Sequence, residues 1–380
     1  MNFEENEQQK LLRETTVAFV RRHCPPSSVR AWDRAGELPE EVYAAMAEAG
    51  LLAMMVPAAY GGIGSPIADC AIVLEEIARP SVDFATRLAL IGWGSMILGD
   101  FASEEIKSEI LPRVVRGEIK LSFSLTEPGS GSDAASLQTR ARRDGDDYVI
   151  SGQKLYSSGA HAPNNMIVLA ARTHPDAEKH AGISLFLVPN DLPGITINRL
   201  DVVGRRILGL CEVFFDEVRI PSRMLIGEEN AGWKYITRHL ERERIMLAAN
   251  YLGNARAAVE DAIRYAGERK QFGKPIGKFQ AIAHILADMA TDLEAGRWMT
   301  ASTASRYDQG LPCVQQACMA KLFVSEMLIR VTTLGMQVLG GAAYTYDHDM
   351  QRYWRDARNA TIGGGTSQIQ RGLIARELGL

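Results

Sequence analysis

The chain has 380 residues, 46% of them apolar and 23% charged, which is the balance of a globular protein long enough for two or three domains. Its formal net charge is −4 and its basic residues are spread along the sequence, which excludes the basic face of a nucleic-acid-binding protein. The five cysteines lack CxxC spacing and the seven histidines form no HExxH pair, so we expect neither a disulfide framework nor a metal.

The sequence gives no sign of a membrane or a targeting segment. No uninterrupted apolar run approaches the roughly 18 residues of a membrane span, so we expect no membrane association. The segment Met1–Glu7 is acidic, unlike a secretion signal or an Arg-rich transit peptide. We therefore expect a cytoplasmic protein with reduced thiols.

The first third of the chain has the periodicity of helices. Apolar residues recur three or four positions apart in Glu40–Met46 and in Ile72–Arg79. Gly50, Pro57 and the pair Gly61–Gly62 divide this region into short helices and turns. We predict an N-terminal helical domain over residues 1–119.

The sequence pattern changes near Lys120. Short segments rich in β-branched and aromatic residues follow, bounded by Gly, Pro, Asn and Asp. They are Tyr148–Gly152, Met166–Ala170, Ile183–Val188 and Glu212–Ile220. We predict a central antiparallel β domain over residues 120–226, and a C-terminal helical domain over 227–380, where long helical periods return. The fold class is therefore α+β and mostly helical.

One carboxylate interrupts an apolar helix face. Glu243 falls on the stripe of Ile236, Leu240 and Leu247 in a segment predicted to be helical. A carboxylate facing an apolar interior loses hydration, which raises its pKa and makes it a stronger base once ionised. However, the mixed charge run Arg238–Arg244 is typical of a solvated helix face, and spacing alone favours that second interpretation.

The loop Ser122–Asp133 is rich in glycine and hydroxyl groups, which let a ligand approach the backbone closely. Within it, Gly129–Ala134 satisfies G-x-G-x-x-A. A dinucleotide-binding βαβ unit would require a helix next, whereas Thr139–Gly145 leads into strands, so we reject that unit. Taken alone, the loop is either an ordinary turn or a binding site.

A second glycine-rich loop, Ile362–Gln370, precedes the last helix. Ser367 and Gln370 have the spacing of a capping box, which predicts a helix start. Glycines before a helix N-terminus can bring free N–H groups to a polar or anionic ligand. The alternative is a tight connection between two helices.

Six motifs, in this order, resemble those of the acyl-CoA dehydrogenase family over the whole chain. They are Val56–Pro57 with Tyr60–Gly62, Thr126–Asp133, Phe215–Pro221, Arg269–Gly273 with Gln280, Gln337–Gly341, and Gly365–Gln370. The resemblance implies helical, β and four-helix-bundle domains, a homotetramer built as a dimer of dimers, and FAD between the β domain and the bundle.

The resemblance also implies the residues that hold the cofactor, carried over position by position. They are Phe123, Leu125, Thr126, Ser132, Tyr156, Ser158, Arg269, Phe272, Gln280, Gln337, Gly341, Thr366 and Gln368. Ser132 would also reach the CoA arm of the substrate, and the group from Arg269 to Gly341 would act partly across a subunit boundary. At Tyr156–Ser158 the family often has Trp-Ile-Thr, a departure that leaves the direction of the reaction open.

The catalytic base departs from the common family pattern. Most members place a Glu directly before the final Gly-Thr, where this chain has Gly364. A subset resembling the isovaleryl-CoA and long-chain enzymes instead has Glu before the Arg of the first long C-terminal helix, and Glu243–Arg244 matches it. The resemblance thus implies Glu243 as the base, Arg244, Gly364 and Gly365 with Ser132 as substrate contacts, and Glu241 as the nearest competing carboxylate.

The reaction implied is α,β-dehydrogenation of an acyl-CoA thioester to the trans-2-enoyl-CoA, with electrons passed to an electron-transferring flavoprotein. Three alternatives stay open on the sequence. One is an enoyl-CoA reductase of the crotonobetainyl-CoA type, and the second is a dehydrogenase of acyl carrier protein thioesters. The third is a non-catalytic helical scaffold of the same fold.

Overall fold

The structure is a computed structural model that describes residues 5–380. Within these residues, six α-helices precede the β domain and six follow its first eight strands. The helices are α1 Glu7–His23, α2 Pro26–Ala35, α3 Glu40–Glu48, α4 Ile67–Ala78, α5 Val82–Phe101, α6 Glu104–Val115, α7 Gly232–Arg238, α8 Leu240–Glu268, α9 Gln280–Asp308, α10 Val314–Leu339, α11 Met350–Ala357 and α12 Ser367–Glu377. The strands are β1 Lys120–Ser124, β2 Arg140–Asp144, β3 Asp147–Ser158, β4 Asn165–Arg172, β5 Ile183–Pro189, β6 Ile195–Arg199, β7 Leu210–Pro221, β8 Leu225–Ile226, β9 Lys270–Gln271 and β10 Lys274–Pro275.

The first eight strands form one sheet in the order β6-β7-β3-β2-β4-β5-β8, with β1 added to β4. Most pairings are antiparallel, as the sequence predicts, but β4 pairs in parallel with both β1 and β2. Strand β1 arrives from the N-terminal helices and joins β4 from Lys120 opposite Asn165 to Ser124 opposite Leu169. The order of helices, β domain and helices confirms the predicted fold class.

Helix α5 forms the centre of the N-terminal domain because it is apolar on nearly every side. Its N-cap is Ser81, whose side chain accepts a hydrogen bond from the backbone N–H of Asp83. Thr86, Ala89 and Leu90 remain partly exposed within an otherwise buried stretch. Since residues three and four apart share one helix face, these three lie on the same side of α5.

In the C-terminal bundle, α8, α9 and α10 share a core of their own to which α11 contributes, and α12 packs against α10. Together with the 3₁₀ turn that follows it, α10 spans Val314–Tyr344, which by length and composition alone could cross a membrane. Its most apolar 18-residue window has a mean hydropathy of 1.4, and half of that window is buried in the protein. A core helix of a soluble protein has the same properties.

One detail of the helices differs from the sequence predictions. The single helix expected around Glu243 is divided at His239, where α7 ends and α8 begins. The backbone of His239 has φ −102° and ψ 0°, and its N–H donates to the carbonyl oxygen of Ile236. A 3₁₀ ending of this kind re-aims the chain between the two helices.

One buried arginine connects all three regions of the chain. Arg205 leaves the loop between β6 and β7, and its Nε lies 2.6 Å from Oδ1 of Asp83 on α5. Its Nη1 donates to Asn359 at 3.1 Å, and its backbone N–H donates to Asp356 at 2.6 Å. Both charged side chains of the Arg205–Asp83 pair are buried, so the pair fixes the β domain against the helices on either side.

Candidate active site

Glu243 lies in the first turn of α8, and its backbone N–H donates to the carbonyl oxygen of His239 at 3.0 Å. Its side chain is partly buried and points toward the glycine turn 363–365. A Cβ atom built on Gly364 would stand 3.9 Å from Oε1 of Glu243 and 2.2 Å from Cδ1 of Leu247. The carboxylate of residue 243 therefore reaches the space toward which a side chain at position 364 would point.

The surroundings of Glu243 make it a proton acceptor of more than ordinary strength. Burial raises the pKa of Glu243, because a charged carboxylate loses hydration there, and the positive charges of Arg244 and Lys321 oppose this rise. Arg244 is itself buried, and in the described part of the chain its Nε has no hydrogen-bond partner. A carboxylate in this environment can remove a weakly acidic proton.

The competing carboxylate, Glu241, faces a different part of the molecule. Its Oε2 lies 3.6 Å from Sγ of Cys313, in the connection between α9 and α10. It lines a surface pocket with Arg242 and Tyr307. Two residues along a helix are separated by roughly 200° of rotation, so Glu241 and Glu243 cannot face one site together.

The glycine turn before α12 is held in a left-handed conformation, with φ +61° at Gly364 and +84° at Gly365. Thr366 is the N-cap of α12, since its hydroxyl accepts from the N–H of Ile369 at 3.2 Å. The predicted helix start is confirmed, although Thr366 and not Ser367 is the N-cap: Ser367 is the first helical residue. The N–H groups of Gly364 and Gly365 have no acceptor within residues 5–380, so a substrate oxygen can bind them.

The first group of predicted cofactor residues comes together at the end of β3. The N–H of Leu155 donates to the carbonyl oxygen of Thr126 at 2.8 Å, and the hydroxyls of Ser124 and Ser157 are 2.7 Å apart. These bonds hold β1 and the loop after it beside Tyr156 and Ser158. The predicted residues Phe123, Leu125 and Ser158 are half-buried, and Ser132 is exposed on the same loop as Thr126.

Tyr156 has an unusual backbone conformation and an exposed ring. Its φ is +59°, which is strained for an aromatic residue, and 57% of its surface is exposed. The strained residue lies where the register of β3 against β7 shifts, between the pairs Lys154–Val213 and Ser157–Cys211, as in a β-bulge. An exposed ring with hydroxyl groups nearby at Thr126 and Ser158 fits a flat aromatic ring system with polar edges, as in a flavin.

The second group lies at the opposite end of the bundle. Arg269 follows the last residue of α8, which places it roughly 39 Å from Glu243 at 1.5 Å per residue. Phe272, on the turn between β9 and β10, is 94% exposed, and Gln280 at the start of α9 is exposed too. Gln337 and Gly341 are exposed at the C-terminal end of α10, which runs in the same direction as α8 because α9 runs back between them.

The second group is therefore separated from the end of the bundle that holds Glu243 by nearly the whole length of α8. Thr366 and Gln368 lie with Glu243, at the glycine-turn end, whereas Arg269, Phe272, Gln280, Gln337 and Gly341 form the far end. The assignment of all thirteen residues to a cofactor stays a prediction. A second copy of the chain could bring the far group of one subunit to the near group of another.

Lys321 was not predicted from the sequence as a residue of the site. This lysine lies in the first third of α10 with none of its surface exposed, and its Nζ donates to the carbonyl oxygens of Gly365 at 2.7 Å and Ala360 at 3.0 Å. A lone lysine between Ala320 and Leu322 on an apolar helix was the available signal, because buried lysines need partners. Burial lowers the pKa of Lys321 to about 8.

Over residues 5–380, no three His, Cys, Asp or Glu side chains come together as a possible metal site. All five cysteines are buried and unpaired in disulfides.

Comparison with known families covers the three regions in turn. Residues 6–118 match the acyl-CoA dehydrogenase N-terminal domain, 122–218 the middle domain, and 230–379 the C-terminal domain of the same family. The chain therefore belongs to the acyl-CoA dehydrogenase family. Family membership makes it an oxidoreductase and argues against the non-catalytic scaffold.

Individual relatives agree along the whole length. The chain is 37% identical to the probable acyl-CoA dehydrogenase YngJ of Bacillus subtilis over 383 residues, with 100% of both proteins covered. It is 34% identical to a 3-(aryl)acrylate reductase of Clostridium sporogenes, with 98% of both covered. Among solved structures, the butyryl-CoA dehydrogenase of Megasphaera elsdenii superposes with a TM-score of 0.95 at 29% identity, with 100% of both chains covered.

Proposed function

We propose that this protein is an FAD-dependent dehydrogenase that converts an acyl-CoA thioester to the trans-2-enoyl-CoA, with Glu243 as the base that removes the α proton. The main support for this proposal is the position of the Glu243 carboxylate, whose Oε1 lies 3.9 Å from the point that a Cβ on Gly364 would occupy. In most of the family the base precedes the final Gly-Thr. Here a carboxylate from α8 reaches that same point, which supports membership in the subset with the relocated base.

The residues of this chain would position the substrate and provide the charged groups that the reaction needs. The free N–H groups of Gly364 and Gly365 would bind the thioester carbonyl oxygen, which makes the α proton more acidic. Glu243 would take that proton, helped by the burial that raises its pKa. FAD, when bound, would supply the acceptor for the β hydrogen, which leaves the substrate as a hydride. Arg244 and Ser132 would contact the CoA portion of the substrate.

The position of Tyr156 and the far group of predicted residues support an oligomeric FAD site. Phe272, Gln337 and Gly341 are exposed and lie at the far end of the bundle from Glu243, so they could serve FAD only in a neighbouring subunit. A homotetramer built as a dimer of dimers is proposed on this ground and on the family resemblance. The resemblance also supports an electron-transferring flavoprotein as acceptor, and the five free cysteines support a cytoplasmic location.

The deciding experiment compares E243Q with wild type, both loaded with FAD, under anaerobic conditions. A panel of acyl-CoAs that differ in chain length and branching is mixed with each protein, and bleaching of the flavin absorbance is followed. The wild type should be bleached by at least one member, and E243Q should react at least about 100-fold more slowly because the base is lost. E241Q is the matched control, since Glu241 faces Cys313, and should bleach like wild type. Undiminished bleaching of E243Q would exclude the proposal.

A second candidate is the reverse reaction, reduction of an enoyl thioester. It is favoured by the similarity to a protein named 3-(aryl)acrylate reductase, at 34% identity over nearly the whole chain. A carboxylic acid with a raised pKa can also return a proton to the α carbon, so Glu243 would serve either direction. Anaerobic titration with saturated and unsaturated CoA esters, with and without a reduced electron donor, separates the two directions. Acyl carrier protein thioesters belong in the same panel.

A further inference from the structure

Lys321 has an unusual position for a charged residue. It projects from the first third of α10 into the protein with none of its surface exposed. Its neighbours on the same helix, Ala320 and Val324, belong to the apolar core of the bundle. Because a buried ammonium group is costly unless it is paired or hydrogen-bonded, its bonds identify what it stabilises.

Lys321 donates hydrogen bonds to the glycine turn and to the segment that precedes the turn. The ammonium group donates to the carbonyl oxygen of Gly365 at 2.7 Å and to that of Ala360 at 3.0 Å, which are the two ends of the segment that contains Gly364. Charge-assisted hydrogen bonds of this length are about twice as strong as neutral ones. Lys321 therefore clamps both ends of the turn that lies over Glu243.

A second, neutral anchor holds the same turn. Nε2 of Gln370, in the first turn of α12, donates to the carbonyl oxygens of Gly364 and Gly365 at 3.2 Å each. The carbonyl oxygen of Gly365 thus accepts from both side chains. Gln370 holds the turn by hydrogen bonds without adding charge, whereas Lys321 both holds the turn and adds a positive charge. Substitutions at the two positions can therefore separate the effect of the hydrogen bonds from that of the charge.

The charge of Lys321 also acts on Glu243. Its attraction opposes the burial that raises the pKa of the Glu243 carboxyl, and Arg244 on the same helix acts in the same direction. The other titratable groups that interact with these three are Tyr251 on α8 and Cys318 on α10. The turn 363–367 carries no titratable side chain. Lys321 is therefore the cation that reaches Glu243 from a neighbouring element.

We propose that Lys321 is a positioning residue of the active site: from α10 its ammonium fixes the Gly364–Gly365 turn over Glu243 and supplies positive charge that favours the ionised form of this carboxylate, which accepts the proton. The inference rests on the proposed role of Glu243 as the base. Lys321 contacts the turn and not the reacting atoms, so its effect is exerted through Glu243 and through the N–H groups of the two glycines.

The test is the pH dependence of kcat/KM for K321M in the FAD-loaded protein, with the best substrate from the acyl-CoA panel. Methionine keeps the length of the side chain and removes its charge and its donors. The acid limb of the profile should move to higher pH by about one unit, because loss of a nearby cation raises the pKa of a carboxyl. K321R, which retains the charge, should keep the wild-type acid limb.

Three further variants separate charge from geometry and protect against misfolding. Q370L removes the neutral anchor and should lower kcat without moving the acid limb. K321Q keeps an amide donor without charge and should shift the limb as K321M does, which keeps the test open if K321M fails to fold. K234M, at an exposed lysine of α7, is the matched control and should match wild type.

A direct measurement of the carboxyl group completes the test without relying on activity. The infrared band of a protonated carboxylic acid, taken as wild type minus E243Q, should titrate at a higher pH in the K321M background. If K321M keeps the wild-type acid limb and infrared titration while E243Q is inactive, this inference is wrong and the role of Glu243 stands. If E243Q bleaches like wild type, the proposed function itself has failed.

Discussion

Oε1 of Glu243 lies 3.9 Å from the position that a Cβ atom on Gly364 would take, although the two residues are more than a hundred positions apart in the chain. The same Cβ would stand 2.2 Å from Cδ1 of Leu247, one turn further along α8. Glycine at 364 and the carboxylate at 243 are thus two parts of one arrangement. A carboxylate can reach this space either from position 364 in the glycine turn or from position 243 on α8.

The reach of the Glu243 side chain is the first feature to test. E243D shortens it by one methylene group and withdraws the carboxylate from the turn by more than 1 Å. A displacement of about 1 Å at a reacting group can cost about 100-fold in rate. We therefore expect E243D to bleach flavin about 100-fold more slowly than wild type in stopped-flow measurements, but faster than E243Q. Equal rates for E243D and E243Q would contradict this geometry.

The base can be moved to the turn only if Leu247 makes room for it. In an E243Q background, G364E must adopt φ +61° and must displace the end of Leu247. We expect E243Q/G364E to recover little activity, and E243Q/G364E/L247A to recover at least about 10-fold more, since a steric conflict is removed. The measurement is the anaerobic bleaching rate, with E243Q/L247A as control. Recovery without L247A would show that Leu247 does not occupy the contested space.

The buried pair Asp83–Arg205 should contribute strongly to stability. D83N removes the charge that faces Arg205 across 2.6 Å and leaves a buried guanidinium without its counter-charge. We expect the free energy of unfolding to fall by about 3 kcal/mol, as when one partner of a buried pair is lost. Chemical denaturation measures this difference. D144N, in the exposed pair Asp144–Arg219, is the control and should cost much less; similar losses would contradict the prediction.

Asp356 should make the protein less stable as the pH rises. Burial, followed by the negative charge of Asp83, raises the pKa of Asp356 to about 7. Between pH of about 4, its ordinary value, and pH 7 the folded protein keeps this proton while the unfolded chain loses it, so unfolding releases a proton and a higher pH favours it. D356N retains an acceptor for the N–H of Arg205 without titrating.

The free energy of unfolding of wild type, measured by denaturation at each pH, should therefore fall relative to that of D356N from pH 4 to pH 7. Above pH 7 the difference should be constant. A wild-type curve that runs parallel to that of D356N across this window would contradict a raised pKa at Asp356.

The exposed ring of Phe272 should matter for assembly and for FAD. F272D places a charge where 94% of a phenylalanine is exposed, at the far end of α8 from Glu243. If a neighbouring subunit covers it, F272D should lower both the oligomeric state in sedimentation and the affinity for FAD in fluorescence titration. I63D, at a 59% exposed isoleucine of the N-terminal domain, should change neither. Unchanged assembly and FAD affinity in F272D would remove Phe272 from the interface.

Local sequence determined the elements and the family. The periodicity of apolar residues distinguishes helices from strands along this chain. The six motifs indicate the same family that the three matched domains establish. The spacing of Glu243 with Leu240 and Leu247 indicated one helix face. The charge run around it favoured the opposite interpretation, because a period alone does not say which face another element will cover.

The tertiary structure decided what those residues meet. Only packing brings α10 against the glycine turn, so that Lys321 bonds Gly365 and faces Glu243, and no short-range pattern encodes a contact between positions so far apart. Packing also separates Arg269 and Phe272 from the end of the bundle that holds Glu243, because a straight helix of 29 residues intervenes. The sequence specifies which side chains are present, whereas their pKa values and partners depend on burial, which only the folded chain creates.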